Sequence, residues 1–261
     1  MPISGPKLVV LKLVVGVLGL ALVIAPPAVA QQGIDPGLFA QGEQLYQVNC
    51  ALCHRDSGVG DPPMFPALSG NDRLEDAVRI VRSIHQGGRR MPPFPALTAE
   101  EISALANYIR NAWENGFSAV TTEEVTAALE GLGGLEASGP MASVWDGVFS
   151  EAQATRGEEV YEGACGLCHG RRLNGAPDDP DMRSTPPLAR ARFLRVWEGR
   201  SLATLFEYSR ATMPEDNPSS LTEQEYVDVI AYMLSVGGMA AGNDELQPDP
   251  QILARIVIQP Q

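Results

Sequence analysis

Apolar side chains recur at helical spacing in two well-separated segments of the chain. The segments are LTAEEISALANYIRNAW (97–113) and LTEQEYVDVIAYMLSVG (221–237), and both place apolar residues three and four positions apart, as in a helix that buries one face. Each opens with Thr-x-x-Glu, at Thr98 and at Thr222, which is the sequence pattern of a helix capping box. We therefore predict a capped amphipathic helix at both places.

A second pair of similar segments precedes these helices. The two stretches are AQGEQLYQVNCALCH (40–54) and TRGEEVYEGACGLCH (155–169), in which a Gly-Glu pair, a Tyr, a Leu and a Cys-x-x-Cys-His motif recur at a constant offset. We predict that Gly-Glu opens a helix that runs into the motif, because an acidic residue is favourable near a helix N-terminus. The repeated unit is then a helix, the motif, a long loop, a short helix, a loop and the closing helix.

These patterns predict an all-α chain of two tandem domains, each containing one copy of the unit. Between the copies, the short helical piece TTEEVTAALEG is followed by GLGGLEASGP, whose composition is typical of a flexible linker. The predicted limits are a signal peptide at 1–30, domain 1 at 31–117, a linker with a short helix at 118–142, domain 2 at 143–240 and a C-terminal tail at 241–261.

The N-terminal segment has the pattern of an export signal. Lys7 and Lys12 precede or interrupt the apolar run LVVLKLVVGVLGLALVIA, and Ala28-Val29-Ala30 follows it as a small-residue cleavage site. The alternative is an uncleaved membrane anchor, since the run approaches membrane-spanning length. Either outcome predicts an exported protein, and we expect a periplasmic location.

The charge balance outside this leader is strongly acidic. Because the only two lysines lie in the leader, the rest of the chain carries 17 arginines against 32 acidic residues, which gives −15 by subtraction. Such a surface repels nucleic acid and anionic lipid. It favours approach to a basic protein surface, although solubility alone also explains it.

All four cysteines and two of the three histidines lie in the two motifs. The residues are Cys50, Cys53 and His54 in the first motif and Cys165, Cys168 and His169 in the second. Two disulfides or one zinc site are alternatives in an exported protein, but Cys-x-x-Cys followed directly by His is the attachment pattern of c-type haem. The thiols add to the two vinyl groups of one haem, and the adjacent imidazole binds the iron. We predict two haem c groups.

Each iron needs a sixth ligand, and a Met-Pro pair stands just before each closing helix. We predict Met91 and Met213, because the following proline prevents a helix from starting at the methionine and leaves it in a loop. Ligation by Met and His raises the reduction potential and suits electron transfer. The other methionines are weaker candidates. We expect Met64 and Met182 to lie on the histidine side or at the haem edge and Met233 to pack in the core, while Met141 lies in the linker and Met239 beyond the closing helix.

His85 and the proline-rich loops offer further candidate roles near the haem. His85 could replace Met91 as a ligand, but the second repeat has no histidine at that place, which favours a position at the haem edge or on the surface. A proline carbonyl could accept the Nδ1–H of each ligating histidine. The candidates are Pro62 or Pro63 for His54, and Pro177, Pro186 or Pro187 for His169.

With these motifs in place, residues 38–116 and 150–240 each resemble a class I cytochrome c domain, and together they resemble a dihaem cytochrome c. The first domain, with GDPPMFPALSGN and MPPFPALTAEEISALANYIRNAW, is similar to the cytochrome domains of quinoprotein alcohol dehydrogenases. The resemblance implies a mainly α fold around each haem. It also implies redox protein partners, often a quinoprotein dehydrogenase as donor and an oxidase as acceptor.

Two classes of function remain open at this stage. The first is an electron carrier or electron-transfer subunit without chemistry of its own, with both irons bound by six ligands. The second is a dihaem enzyme, such as a peroxidase or a subunit that oxidises sulfur compounds, which needs an exchangeable position on the iron. Two candidate Met ligands, and no cysteine outside the motifs, favour the carrier, and we predict that the chain is not an enzyme.

Overall fold

The helices of the computed structural model occur in the two predicted groups, within the described residues 33–132, 141–177 and 185–261. The N-terminal half (33–132) contains α1 (Pro36–Asn49), α2 (Ala51–His54), a 3₁₀ helix (Asp72–Glu75), α3 (Ala77–Gln86), α4 (Ala99–Asn111) and α5 (Thr122–Gly131). The C-terminal half (141–177 and 185–261) contains α6 (Glu151–Ala164), α7 (Gly166–His169), α8 (Arg190–Trp197), α9 (Leu202–Thr212), α10 (Glu223–Val236) and α11 (Pro250–Leu253). The predicted all-α class is confirmed, apart from one parallel pair of two-residue strands, β1 (Ala142–Ser143) and β2 (Ile256–Val257).

Both closing helices begin as the sequence predicts. In α4, Thr98 Oγ1 accepts from the Glu101 amide at 3.2 Å, and the Glu101 carboxylate accepts from the Thr98 amide at 2.8 Å. The same reciprocal pair of hydrogen bonds opens α10 at Thr222 and Glu225. Two otherwise unsatisfied amides are paired at each helix N-terminus.

The first helix of each half begins earlier than predicted. Helix α1 starts at Pro36 after the capping residue Asp35, and α6 starts at Glu151 after Ser150. The expectation that Gly-Glu opens these helices is therefore wrong. An aspartate or serine whose side chain accepts an amide hydrogen bond is the stronger start signal, and Gly-Glu lies in the second turn.

The repeated glycines lie where two helices cross. A Cβ placed on Gly42 would overlap the Ala104 carbonyl of α4, and one placed on Gly157 would overlap the Asp228 carbonyl of α10. Only glycine therefore allows α1 to approach α4, and α6 to approach α10, so closely. This crossing brings the first helix and the closing helix of each half together ahead of the Cys-x-x-Cys-His motif.

Each half has its own hydrophobic core. Tyr46, Ile102 and Leu105 are fully buried in the N-terminal half, and α5 adds Val125 and Leu129 to the same cluster. The core of the C-terminal half includes the fully buried Tyr161, Phe206, Leu234, Leu246, Leu253 and Ile258. The C-terminal tail thus packs across its own half, and β2 pairs in it with β1.

Side chains from both halves meet between these cores. The rings of Phe65 and Tyr208 stack with centroids 6.4 Å apart and an interplanar angle of 5°. Arg90 Nη2 donates to Ser219 Oγ at 3.0 Å, which joins the loop before α4 to the loop before α10. The leader predicted at 1–30 lies outside the described residues, and no helix in the described ranges is long and apolar enough to cross a membrane.

Candidate haem-binding sites

Each Cys-x-x-Cys-His motif forms a single helical turn. The Cys50 amide donates to the Tyr46 carbonyl at 2.8 Å, and the His54 amide donates to the Cys50 carbonyl at 2.9 Å. In the C-terminal half the corresponding bonds from Cys165 and His169 measure 2.8 and 2.9 Å. Residues three and four positions apart lie on one face of a helix. The turn therefore places two thiols and one imidazole together, as the attachment of one haem requires.

Both motif histidines are fixed by a proline carbonyl. His54 Nδ1 lies 2.9 Å from the Pro66 carbonyl oxygen, and His169 Nδ1 lies 2.9 Å from that of Pro186. A carbonyl only accepts, so Nδ1 carries the proton and Nε2 keeps its lone pair. Burial lowers the pKa of both histidines, although the hydrogen bonds to proline oppose this effect. A neutral imidazole with a free Nε2 is the form that binds a metal.

The choice of Pro62 or Pro63 as the partner of His54 is wrong, because the chain turns back before it reaches the ring. Asp61 and Phe65 exchange amide-to-carbonyl hydrogen bonds of 2.8 and 3.0 Å, so the two prolines lie exposed at the tip of a turn. The return segment then brings the Pro66 carbonyl to the imidazole.

In the C-terminal half, the structure selects Pro186 from the three prolines that the sequence left open. The same loop geometry recurs there. The Gly60 amide donates to the His54 carbonyl, and the Gly175 amide donates to the His169 carbonyl, both at 2.9 Å. Both glycines have positive φ, 63° and 82°. A Pro-x-Leu sequence follows in both loops, PAL at 66–68 and PPL at 186–188, and this shared signal could have identified the two prolines.

The repeated tyrosines have a role that the sequence did not reveal. Tyr46 OH donates to the Arg55 carbonyl at 2.6 Å, and Tyr161 OH donates to the Gly170 carbonyl at 2.8 Å. Each tyrosine thus bonds the residue directly after the motif histidine. Because both rings are fully buried, they fix the end of the motif turn to the core of their half.

The four cysteines form no disulfide, and the two motifs lie against different cores. Cys50 belongs to the core of the N-terminal half, whereas Cys165 packs against that of the C-terminal half. Burial raises the pKa of Cys50 to about 12 and that of Cys53 and Cys165 to about 11. Within the described ranges, no three Cys, His, Asp or Glu side chains are grouped as metal ligands. The side chains therefore do not converge on a shared four-ligand zinc site, and they fit two separate thioether attachments.

Met91 and Met213 both lie in the loops where the sequence places them. Met91 is half-buried against the core that contains Cys50, and it exchanges backbone hydrogen bonds of 2.8 and 3.0 Å with Gly88. Met213 is half-buried at the end of α9, and its carbonyl accepts from Tyr226 OH at 2.6 Å. Tyr226 is 4% exposed and belongs to the core of the C-terminal half. The Met213 loop is therefore held by a tyrosine of that core.

The other methionines and His85 occupy different environments. Met233 is a core residue at 4% exposure, as expected, Met239 is also buried at 5%, and Met141 is exposed. Met64 Sδ accepts from Arg90 Nη1 at 3.0 Å. Met182 lies outside the described residues. His85 is half-buried in the last turn of α3, and its buried Nδ1 has no hydrogen-bond partner among the described residues.

Comparison with known proteins gives a family match in both halves. The model of the family described as cytochrome c oxidase, cbb3-type, subunit III matches residues 37–109 and 152–233. The two matched segments contain one Cys-x-x-Cys-His motif and one candidate Met ligand each. Members of a cytochrome c family bind haem c covalently and transfer electrons.

Individual relatives match different shares of the chain. It is 34% identical over 100 residues to an alcohol dehydrogenase (quinone) cytochrome c subunit of Gluconacetobacter polyoxogenes, which covers 33% of this chain and 21% of that protein. It is 26% identical over 231 residues to a cytochrome bc1 complex cytochrome c subunit of Corynebacterium efficiens, which covers 83% of this chain and 70% of that protein. It is 26% identical over 200 residues to the cbb3-type cytochrome c oxidase subunit FixP of Bradyrhizobium diazoefficiens, with 64% and 58% covered. The chain thus spans about a fifth of the length of the alcohol dehydrogenase subunit.

Proposed function

Since this chain belongs to the family described as cytochrome c oxidase, cbb3-type, subunit III, we propose that it is an exported dihaem c-type cytochrome. It carries single electrons from a dehydrogenase, in particular a quinoprotein, to a downstream acceptor such as a terminal oxidase. The observation that carries the proposal is the repeated histidine arrangement. In both halves a Cys-x-x-Cys-His turn has its imidazole Nδ1 bonded to a proline carbonyl at 2.9 Å, which leaves Nε2 free for iron.

The residues that would hold each haem have separate roles. The two cysteines of each motif would form the thioether bonds, while His54 and His169 would each supply a nitrogen ligand to the iron. Met91 and Met213 would each supply a neutral thioether ligand, which favours the reduced iron. When bound, the haem supplies the one-electron chemistry. The protein excludes water and, through the proline carbonyl and the buried tyrosine, holds the imidazole in one tautomer and orientation.

Covalent haem content and reactivity test this proposal directly. The mature exported protein should have a mass that includes two haem groups, and its reduced spectrum should be that of low-spin c-type haem. Peroxide should oxidise it slowly and without turnover. A mass without haem, with the four sulfurs free or joined to one another, would contradict the cofactor assignment. Rapid peroxide turnover would favour the dihaem enzyme instead.

Axial ligation by methionine is tested by comparing three alanine variants. Met91→Ala and Met213→Ala should each lower the midpoint potential of one haem, by on the order of 100 mV, because the axial ligand is a main determinant of that potential. Each should also remove part of the methionine-to-iron(III) absorption band. Met64→Ala is the matched control, since its sulfur accepts a hydrogen bond from Arg90 and should leave the band intact. Loss of the band in Met64→Ala would reassign the ligand.

The relatives of this chain are subunits of different redox complexes. The alcohol dehydrogenase subunit matches 33% of this chain, while the bc1 complex subunit matches 83% of it. Purified holoprotein should be reduced by a quinoprotein dehydrogenase with its substrate, and a terminal oxidase should then reoxidise it. Reduction by a quinol-oxidising complex, but not by the dehydrogenase, would replace the donor and keep the carrier function. N-terminal sequencing of the exported protein would show whether Gln31 is the first residue.

A further inference from the structure

The two Cys-x-x-Cys-His turns differ in what lies against them. In the N-terminal half, Leu52 between the cysteines packs against the core of the C-terminal half. Val48, one turn earlier, has a methyl group 3.5 Å from the position that a Cβ on Gly199 would take. The corner between α8 and α9 therefore lies against this face, where Leu52 is partly buried and Val48 is 41% exposed.

The equivalent face of the C-terminal half is open. Leu167 occupies the position of Leu52 in the repeat and is 81% exposed. Gly163 occupies the position of Val48, and a Cβ placed on it would meet nothing within 4 Å. The same surface is thus a contact in one half and exposed in the other.

A single exposed leucine is common and needs no explanation by itself. Leu167 differs because its counterpart in the same chain is already a contact between two cytochrome domains. We propose that the face of α7 around Leu167 is the docking surface for an external redox protein. The corresponding face of α2 is less available to that partner, because the core of the C-terminal half packs against Leu52. This inference rests on the electron-carrier function proposed above.

The charges around this face indicate a basic partner. Glu159 and Glu162 are exposed on the last two turns of α6, directly before the motif, and the whole chain has a net charge of −13. Arg171 and Arg172 are exposed and follow the motif in sequence. A partner that presents an apolar patch with lysine or arginine on one flank therefore fits.

Docking can be measured without turnover by using a lysine-rich single-haem cytochrome c as the probe. In the reduced, diamagnetic holoprotein with labelled leucine methyl groups, adding the probe should shift the Leu167 signal and leave the Leu52 signal in place. Leu167→Glu should weaken binding of the probe about tenfold, as expected when a central apolar contact is replaced by a charge. Leu167→Ala should weaken it less. Val78→Glu is the matched control, because Val78 is also apolar and 52% exposed but lies on α3; it should change binding less than about twofold.

The outcomes separate the docking surface from the carrier function. Shifts centred on the N-terminal half, or wild-type affinity in Leu167→Glu with unchanged haem content and circular dichroism, would overturn the docking surface. The carrier function would still stand if that protein held two haems and was reversibly reduced. Absence of haem, or rapid peroxide turnover, would instead remove the proposed function itself.

Discussion

The closing helices of the two halves each bury a charged side chain, but the charges have opposite signs. Arg110 of α4 is 2% exposed and donates to the backbone carbonyls of Leu74, Glu75 and Ser118. Asp228 of α10 is 4% exposed and accepts from the side chains of Gln153, Arg156 and Gln224.

This difference follows from what surrounds each closing helix. In the N-terminal half, irregular segments on both sides of α4 leave carbonyl oxygens that need a donor, and a guanidinium carries five N–H groups. In the C-terminal half, α6 and the first turn of α10 present amide and guanidinium donors, and a carboxylate accepts from them. The motif turn, the proline that contacts its histidine and the buried tyrosine recur in both halves. The buried charge on the closing helix is specific to each half.

The helix crossing is shared by both halves, and breaking it should have the largest effect. Gly157→Ala and Gly42→Ala each place a Cβ against a backbone carbonyl of the closing helix, so the helices must move apart. We expect each to destabilise its own half by about 3 kcal/mol or more, measured by urea unfolding of the holoprotein.

Gly163→Ala is the matched control in the same helix as Gly157. Its Cβ would meet nothing within 4 Å, and alanine is favoured over glycine inside a helix by about 0.5–1 kcal/mol. It should therefore stabilise the C-terminal half. Equal stabilisation by Gly157→Ala and Gly163→Ala would show that helix propensity, and not the crossing, sets the result.

Removing either of the two buried charges should cause the next largest loss of stability. Arg110→Met should cost about 3 kcal/mol, because it leaves buried carbonyls without a donor, and Asp228→Asn should cost about 2 kcal/mol, because an amide still accepts one of the three donors. Urea unfolding should locate the first loss in the N-terminal half and the second in the C-terminal half. Arg79→Met, which removes an exposed arginine 3.9 Å from Asp76, should change stability by less than about 0.5 kcal/mol. If one variant destabilised both halves, the buried charge would not act on its own half alone.

The features that the sequence predicted well are those carried by repeated, local patterns. The capping boxes at Thr98 and Thr222 and the motif turns depend on residues three or four positions apart, so their chemistry is readable along the chain. Pro66 was missed because its contact with His54 depends on a turn between them. The start of α1 was misplaced because Gly42 was taken as a start signal, when its role appears only once the partner helix is present.

Long-range contacts could not be predicted from either half alone. Leu52 is partly buried and Leu167 is exposed, although both are the leucine between the two cysteines of a Cys-x-x-Cys-His motif. What separates them is the position of the α8–α9 corner, which depends on how the two cores pack together. Buried Arg110 and Asp228 likewise look like ordinary charged helix residues until the segments that pair with them are known.

The two halves also differ in the residue directly after the motif histidine, and we expect smaller changes in stability there. Arg55 has φ 65° and ψ 156°, a conformation that glycine adopts readily, and its counterpart is Gly170 with φ 75°. Arg55→Gly should stabilise the N-terminal half by about 1 kcal/mol, because it relieves backbone strain. Loss of the exposed ion pair with Asp61 should offset a small part of this gain. Gly170→Ala should destabilise the C-terminal half by about 1–2 kcal/mol, since its Cβ would lie 2.5 Å from Asn174 Oδ1 and 2.8 Å from the Ala176 nitrogen. Thermal unfolding would measure both, and a loss of stability in Arg55→Gly would mean that the arginine side chain outweighs the strain.

The two halves also differ six residues before the candidate methionine, where the N-terminal half has His85 and the C-terminal half has Glu207. Glu207 is 3% exposed. It accepts from Arg210 at 3.0 Å through Oε1, while Oε2 has no partner among the described residues. Burial raises the pKa of Glu207, and Glu223 adds to the rise, while Arg210 and Arg90 oppose it.

The expected consequence is a small pH-dependent effect on stability. A carboxyl whose pKa is higher in the folded than in the unfolded state binds more protons when folded, so its contribution to stability is present below about pH 4.3 and is lost as pH rises through the folded pKa. Glu207→Gln cannot lose a proton. Its free energy of unfolding should therefore rise relative to the wild type between about pH 4 and neutral pH, by an amount below about 1 kcal/mol, measured by urea unfolding across that range. Glu223→Gln removes an exposed carboxylate from the same Arg210 and so isolates the loss of an ion pair. A difference between Glu207→Gln and the wild type that stayed constant with pH would mean that Arg210 compensates the burial of Glu207 fully.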